Sequence, residues 1–236
     1  AVEIQAYDED EQIPDYPVTL FVSKEGYLKK ITAQSLRMSG EQKFKEGDSL
    51  SFSRESTNRT EFLVFTDKFQ CYKSRLSNFE DGKASQLGDY LPQKLGMDPG
   101  ETVLQVVLPG DYKGFVLFFF ENGKGVRVNM SVYDAKSRRR KITGACSSAS
   151  ALVGAIYEGD KPENIFIRSD ANRGMLIKSS LVPIKSTRTA AGVQIMQLPK
   201  KGNVKVELVT SNIEAIGEDA LKCKKLAIPS NGSALG

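Results

Sequence analysis

The sequence contains no histidine and no tryptophan among its 236 residues. The lack of histidine excludes mechanisms built on an imidazole, such as Ser/His triads and Cys/His dyads, and it excludes His-ligated zinc. The three cysteines, Cys71, Cys146 and Cys223, form no CxxC pair and no even set. We therefore expect small buried thiols in a reduced, cytosolic setting.

Long apolar runs and nucleotide-binding loops are also missing. The run Phe115–Phe120 is too short to cross a bilayer, so it predicts a buried strand rather than a membrane span or a base-stacking platform. The acidic opening does not resemble a signal peptide. No glycine-rich loop carries the Lys-Ser/Thr pair of a P-loop. Asp111 and Asp160 each follow a glycine but lie a whole repeat apart, and we expect each to form a turn with its own backbone.

The charge is unevenly distributed along the chain. Residues 1–15 carry six acidic side chains and no basic one, so that the total of +4 corresponds to +10 on residues 16–236. A basic body with an acidic leader favours a polyanionic partner, although an ordinary solvated surface is an equal alternative on charge alone. The leader is interpreted as a linker or, alternatively, as a segment that competes with a polyanion.

A β-hairpin pattern recurs along the chain. Residues 107–128 and 156–177 align without a gap, and looser copies occupy 16–31 and 59–74. Each copy is an apolar run, a polar turn and a second run with basic residues. Glycine- or alanine-containing segments at 47–50, 100–104, 151–155 and 201–204 each come before a further turn or hairpin. Spacings of roughly 43 to 56 residues are typical of four-stranded propeller blades.

These patterns predict an all-β, propeller-like fold of about five four-stranded blades, with six as the alternative. Four blades are readable, and the fifth would be assembled from less regular parts. We expect residues 1–15 to form an acidic leader and closing strand, 16–229 a single domain, and 230–236 a frayed C-terminal tail.

The hairpins resemble the C-terminal domain of the A subunit of bacterial type IIA topoisomerases, which comprise gyrase and topoisomerase IV. The resemblance is carried by residues 13–36, the ENGKGVRV turn at 121–128, and residues 168–198, which include a TxxGVxxMxL strand at 189–198. It covers essentially the whole chain. It implies a β-pinwheel with DNA bending around a basic rim, and a chain that is a non-catalytic fragment whose catalytic tyrosine lies elsewhere in the enzyme.

One departure separates the two members of that family. Gyrase A subunits carry a Gly- and Arg-rich heptapeptide, the gyrase box, after the first hairpin. The corresponding stretch 38–47 keeps Gly40 and two lysines but contains two glutamates and no arginine. The basic run 136–141 has no glycine and lies two blades later. The resemblance therefore favours topoisomerase IV, which relaxes and decatenates DNA, over a wrapping gyrase.

DNA binding without base readout requires cations along the path of the phosphates. The run 136–141 is the densest charge in the chain and is either a plain surface loop or a phosphate-contacting loop. The alternative for each hairpin cation is a solvated charge that protects a strand edge. The candidate phosphate contacts are Lys29, Lys30, Lys43, Lys45, Lys73, Arg75, Lys124, Arg127, Arg138, Arg139, Arg140, Lys141, Arg173 and Lys178.

The expected function is non-catalytic binding and bending of double-stranded DNA, which tunes relaxation and decatenation. A gyrase-type wrapping domain and a propeller-like protein-interaction scaffold are the alternatives. The resemblance implies two protein partners, the ATPase B subunit together with the upstream part of the same A subunit, as well as a cytoplasmic, nucleoid-associated location. ATP and Mg²⁺ are implied for the full enzyme only. We expect no cofactor, metal or membrane contact in this domain, and a monomeric fragment.

Overall fold

The computed structural model describes residues 12–135 and 140–236. Its internal contacts divide the chain into two compact units. The first comprises residues up to Phe62 together with Lys73–Gly100, and the second comprises Leu63–Tyr72 together with Glu101–Gly236. No helix in these described stretches is long and apolar enough to span a membrane.

The described residues form short strands and three very short α-helices. In chain order these elements are β1 (Pro17–Ser23), β2 (Tyr27–Thr32), α1 (Ala33–Met38), β3 (Leu50–Thr57), β4 (Glu61–Thr66), β5 (Cys71–Arg75), β6 (Asp89–Tyr90), α2 (Leu91–Lys94), β7 (Val103–Val107), β8 (Phe115–Phe120), β9 (Lys124–Asn129), β10 (Lys141–Ile142), β11 (Leu152–Glu158), β12 (Asn164–Ser169), β13 (Arg173–Lys178), β14 (Ile184–Lys185), β15 (Val193–Gln194), β16 (Val206–Thr210), α3 (Glu218–Lys222) and β17 (Ser233–Ala234). Single 3-10 turns follow β5, β9 and β13.

Four antiparallel hairpins organise these strands, as the sequence repeats predict. They are β1–β2, β4–β5, β8–β9 and β12–β13. One residue in each hairpin turn has a positive φ, a conformation that favours Gly and, next, Asn. These residues are Gly26, Phe69, Gly123 and Asn172, with φ values of 99, 59, 82 and 56°.

An outer strand joins the first strand of each hairpin. β3 pairs with β1, β7 with β4, β11 with β8, and β16 with β12, all antiparallel. Each outer strand follows its hairpin in the sequence. The recurrent segments that stand before the next hairpin therefore belong to the sheet of the hairpin they follow.

The loop that leads into each outer strand lies against the hairpin turn of the same sheet. In each sheet, the amide of the first turn residue donates to the carbonyl of the residue that directly precedes the outer strand. This bond occurs four times, from Lys24 to Ser49 (2.8 Å), Asp67 to Thr102 (3.1 Å), Glu121 to Ala151 (2.9 Å) and Asp170 to Lys205 (2.9 Å). Cations in the turn and in the loop therefore occupy the same end of each sheet.

The second strand of each hairpin receives a partner from still later in the chain. β6 pairs with β2, β10 with β5, β14 and β15 with β9, and β17 with β13. Each of the four sheets is thus completed by a segment that lies beyond the next hairpin or, in the last sheet, near the C-terminus. Four sheets in residues 12–135 and 140–236 lie close to the predicted number of about five.

In the first unit, β1 follows the period of two that a half-buried strand requires. In β1, Val18, Leu20 and Val22 are buried, and the intervening residues are partly exposed. On the next strand, Leu28 and Ile31 have no exposed surface.

Aromatic side chains dominate one core cluster of the second unit. The ring of Phe65 makes edge contacts with Phe118 and Tyr133, at centroid distances of 5.5 and 5.2 Å. The Tyr133 hydroxyl donates to Ala145 O at 2.6 Å, which satisfies its one polar group. Phe119 and Phe120 are also buried, so the interpretation of the Phe-rich run as core is confirmed.

The prediction of small buried thiols is confirmed, because Cys71, Cys146 and Cys223 are all buried. Burial raises the pKa of the Cys146 thiol to about 12. Asp111 accepts from the Lys113 amide at 3.2 Å, as a turn former does. That bond holds the pKa of its carboxyl below the usual range.

The expectation of a frayed tail at 230–236 is wrong. Ser233 and Ala234 form β17 and pair with Gly174 and Arg173. The amide of Leu235 donates to Asn172 O at 3.0 Å, which continues this pairing. The small, polar composition of the tail suggests fraying, but the free edge of β13 supplies its hydrogen-bond partners.

The predicted leader and closing strand falls largely on residues 1–11, which lie outside the described residues. Of its last residues, Pro14 O accepts from Asn58 Nδ2 at 2.7 Å and Asp15 Oδ1 accepts from the Arg59 amide at 3.1 Å. The assignment of 16–229 to one domain stays a prediction.

Candidate nucleic-acid interface

The predicted phosphate contacts differ widely in exposure, and Arg138 and Arg139 lie outside the described residues. Lys29 and Lys30 are buried, with 4% and 3% of their surface exposed. A buried ammonium group is engaged inside the protein and presents no charge to a phosphate. The residue pattern of β2 did not reveal this burial.

Three cations occupy the same position, four residues after the positive-φ residue of the hairpin turn. Each is paired with an acid: Lys30 Nζ lies 3.2 Å from Asp81 Oδ1, Lys73 Nζ lies 3.2 Å from Glu61 Oε1, and Arg127 Nη2 lies 2.6 Å from Glu158 Oε1. In the fourth hairpin the position is taken by Leu176. The repeated basic position therefore contributes mainly to internal ion pairs.

Two other predicted arginines also have partners within the protein. Arg75 Nε lies 3.9 Å from Glu61 Oε2. Arg173 donates from Nε to Asn231 O at 3.0 Å and from Nη2 to Gly232 O at 2.7 Å, which fastens the C-terminal segment to β13. These contacts give both side chains a structural role that is independent of any ligand.

Most of the remaining predicted cations lie at the surface. Lys43, Lys45, Arg140, Lys141 and Lys178 are exposed, and Lys124 is half-buried. The Lys141 ammonium group lies 5.6 Å from the centroid of the Tyr72 ring, a cation–π contact that leaves the charge at the surface.

A local group of described cations surrounds residues 140–145 of the second unit. The Ala145 amide donates to Phe69 O at 2.8 Å and brings this loop to the β4–β5 turn, where Lys68 is exposed. Arg188 Nε donates to Gly144 O at 2.9 Å from the other side. We call the four cations gathered here, Lys68, Arg140, Lys141 and Arg188, the 140–145 patch.

In the first unit, Lys43 and Lys45 lie on the loop 39–49 that leads into β3. The loop is held at two points, through the backbone of Lys43 and the side chain of Asp48. The Lys43 amide donates to Ala84 O at 2.8 Å, and Asp48 Oδ1 accepts from the Glu25 amide at 3.0 Å. Hydrogen bonds from backbone amides and from Ser23 lower the pKa of the Asp48 carboxyl against the opposing effect of its burial.

Two exposed lysines were missed at the sequence level. Lys200 and Lys201 stand in the loop that leads into β16, the equivalent of loop 39–49 in the last sheet. The recurrence of this segment was visible in the sequence, but only cations of the hairpins and of the two basic loops were predicted to bind. Among the described residues, no group of three Cys, Asp or Glu side chains is placed to hold a metal ion.

No protein-family model matches the chain. Among curated proteins, it is 23% identical over 196 residues to the A subunit of DNA topoisomerase 4 from Staphylococcus aureus, a match that covers 81% of this chain and 24% of that protein. The proteins from strains COL and N315 match to the same extent. The chain thus spans about a quarter of the length of the curated relatives it matches.

Solved structures are similar over most of the chain. The C-terminal domain of DNA topoisomerase IV superposes with a TM-score of 0.71 at 21% identity, over 84% of this chain and 61% of that one. The E. coli ParC C-terminal domain gives 0.62 at 16% identity, over 93% and 94% of the two chains. The DNA gyrase A C-terminal domain gives 0.56 at 13% identity, over 92% and 76%.

The fold is a β-pinwheel. The all-β, propeller-like prediction is confirmed by these superpositions, and so is the resemblance to C-terminal domains of type IIA topoisomerase A subunits. The curated relatives named above are subunits of topoisomerase IV, which agrees with the preference for topoisomerase IV over gyrase drawn from stretch 38–47.

Proposed function

We propose that this chain is a DNA-binding and DNA-bending module from the A subunit of a type IIA topoisomerase of the topoisomerase IV kind, with no catalysis of its own. The observation that carries the proposal is the similarity of more than four-fifths of the chain to topoisomerase IV, in the sequence of its A subunit as well as in fold. The module would hold the transported duplex and thereby tune relaxation and decatenation.

Exposed cations supply the chemistry for such binding. The 140–145 patch places Arg140 and Lys141 beside a hairpin turn, and loop 39–49 adds Lys43 and Lys45. Each phosphate that a cation neutralises releases condensed counterions, and this release favours binding without any base contact. Bending a short duplex costs on the order of 1–6 kcal/mol, which several distributed contacts of this kind can offset.

The proposal assigns the chemistry of the enzyme to its other parts. Strand cleavage, ATP and Mg²⁺ would be handled outside this domain, by the ATPase B subunit together with the remainder of the A subunit. The domain itself would use no cofactor, act in the cytoplasm near the nucleoid, and be monomeric when isolated.

The test is binding of the purified chain and its variants to a duplex of about 40 base pairs over a series of salt concentrations. Replacing Arg140 and Lys141 by Gln should weaken binding and lower the slope of log K against log salt by about 0.9 for each phosphate that is no longer neutralised. The matched control removes two exposed lysines elsewhere, with Lys222→Gln and Lys224→Gln. Equally weakened binding in both variants would contradict a role for the 140–145 patch.

A topology assay separates topoisomerase IV from gyrase behaviour. The chain is bound to a nicked circle, the nick is sealed, and the trapped linking difference is read on a gel. Since stretch 38–47 has no arginine and two glutamates, we expect little trapped supercoiling. Strong positive trapped writhe would instead support the gyrase-type wrapping domain.

A further inference from the structure

Lys29 is the unusual residue of the first sheet. It stands three residues after the positive-φ residue of its turn, and the equivalent positions in the other hairpins are the buried, uncharged Tyr72, Val126 and Met175. Only 4% of Lys29 is exposed. A charged side chain is costly to bury, so its presence at a core position requires compensating contacts.

Those contacts join two segments that are distant in the sequence. Lys29 Nζ donates to Lys43 O and to Ala84 O, both at 3.2 Å. It also lies 5.6 Å from the centroid of the Phe44 ring. The Lys43 amide donates to the same Ala84 carbonyl at 2.8 Å. The ammonium group thus links the backbone of loop 39–49 to the segment around residue 84.

The remainder of the Lys29 side chain is tightly enclosed. Gly88 approaches so closely that a Cβ on it would lie 2.6 Å from Lys29 Cγ. The stem therefore has little freedom to withdraw from its two carbonyl partners. Desolvation lowers the pKa of the ammonium group, in keeping with this enclosure.

Loop 39–49 carries Lys43 and Lys45 against three acids, Glu41, Glu46 and the partly buried Asp48, so its net charge is −1. Attraction to a phosphate therefore depends on which side chains the backbone presents, rather than on total charge. A loop that is free to rearrange would lose conformational entropy when it orders its lysines against the polyanion, whereas a loop that is already fixed avoids that cost.

We infer that Lys29 is a positioning residue for DNA binding, which holds loop 39–49 so that Lys43 and Lys45 can contact the phosphates. The inference rests on the proposed function. In this role Lys29 is an internal anchor and not the phosphate contact that the sequence predicts.

The test compares Lys29→Met with Lys30→Met. Both residues are buried lysines on β2, but the polar partners of Lys30 Nζ lie outside the loop, since it donates to Asn58 Oδ1 at 2.6 Å and pairs with Asp81. The first readout is amide hydrogen exchange in the 236-residue chain. Lys29→Met should speed exchange at the Lys43 amide about tenfold or more, with β1 unchanged. Lys30→Met should leave the Lys43 amide protected.

The second readout is affinity for a duplex of about 40 base pairs. Lys29→Met should weaken binding about three- to tenfold, comparable to Lys43→Gln with Lys45→Gln. Adding Lys29→Met to that double variant should weaken binding no further, because the lysines that it positions are already gone. A further weakening of the same size in the combined variant would overturn the inference.

The two proposals fail in different ways. If the wild-type chain binds no DNA, the proposed function fails and the positioning role fails with it, while exchange at Lys43 still decides whether Lys29 anchors the loop. If DNA binds but Lys29→Met changes neither exchange nor affinity, only the positioning role is overturned. Should Lys29→Met not fold, Lys29→Gln keeps a shorter amide donor at the position and is judged by the same outcomes.

Discussion

The ion pair between Arg127 on β9 and Glu158 on β11 allows a sharp test of how a buried ion pair contributes to the stability of this protein. Arg127 Nη2 lies 2.6 Å from Glu158 Oε1, and the two side chains are 13% and 5% exposed. The guanidinium also stacks 4.0 Å from the centroid of the Phe115 ring. Arg127 Nε and Glu158 Oε2 are buried and have no hydrogen-bond partner among the described residues.

These contacts set the expected energies. Removing one partner leaves the other charge buried and uncompensated, which costs about 3–5 kcal/mol. Arg127→Met and Glu158→Leu should therefore each be strongly destabilising. The pair is held by a single hydrogen bond and leaves two polar atoms without a hydrogen-bond partner. The variant with both residues replaced should therefore have a free energy of unfolding within about 1 kcal/mol of the wild-type value, or a higher one.

The assay is a double-mutant cycle on the free energy of unfolding in urea. Since the chain has no tryptophan, unfolding is followed by far-ultraviolet circular dichroism. With single variants that each cost about 3–5 kcal/mol and a double variant within about 1 kcal/mol of wild type, the coupling energy should be at least about 5 kcal/mol, far above the value for an exposed pair. Additive single variants that each cost less than about 1 kcal/mol would refute the reasoning. The double variant should also bind DNA as wild type does, because Glu158 already neutralises the Arg127 charge inside the protein.

Two further predictions concern close packing and pH. Gly174→Ala should lower the free energy of unfolding by about 1–3 kcal/mol, because the new Cβ would lie 2.8 Å from Phe166 Cζ; an unchanged urea midpoint would contradict this. Desolvation and the hydrogen bond to Asp81 raise the pKa of Tyr16 from 10.0 to about 12, so the folded form resists deprotonation. The stability from this group is complete below pH 10.0 and is lost as the pH rises toward about 12. Tyr16→Phe should remove that part of the alkaline loss, and identical pH profiles would contradict the assignment.

The hairpins were predictable because their signals are local. Each combines apolar runs that alternate with polar residues and a short turn, and the turns around Gly26 and Gly123 use residues that suit a positive φ. The pairing of the outer strands was not predictable from these signals. β3 pairs with β1 although a helix and a loop separate the two strands in the sequence. The alternation of apolar and polar residues alone does not specify which earlier strand a later segment joins.

The burial of Lys29 and Lys30 was hidden for a related reason. The strand YLKKIT has the composition of a solvated hairpin edge, and the partners that make burial tolerable are supplied by distant segments. They include the carbonyls of Lys43 and Ala84, the side chain of Asn58 and the carboxylate of Asp81. Sequence reasoning therefore identified basic strands correctly but could not separate internal cations from those at the surface.

The central claim is that this β-pinwheel binds double-stranded DNA through its exposed cations. The most direct measurement is the equilibrium binding of the wild-type chain to a duplex of about 40 base pairs of arbitrary sequence, from low to physiological salt. We predict binding at low salt that weakens steeply and linearly in log K against log salt, with little dependence on base sequence. The absence of binding at the lowest salt concentration would contradict the claim and favour a protein-interaction scaffold.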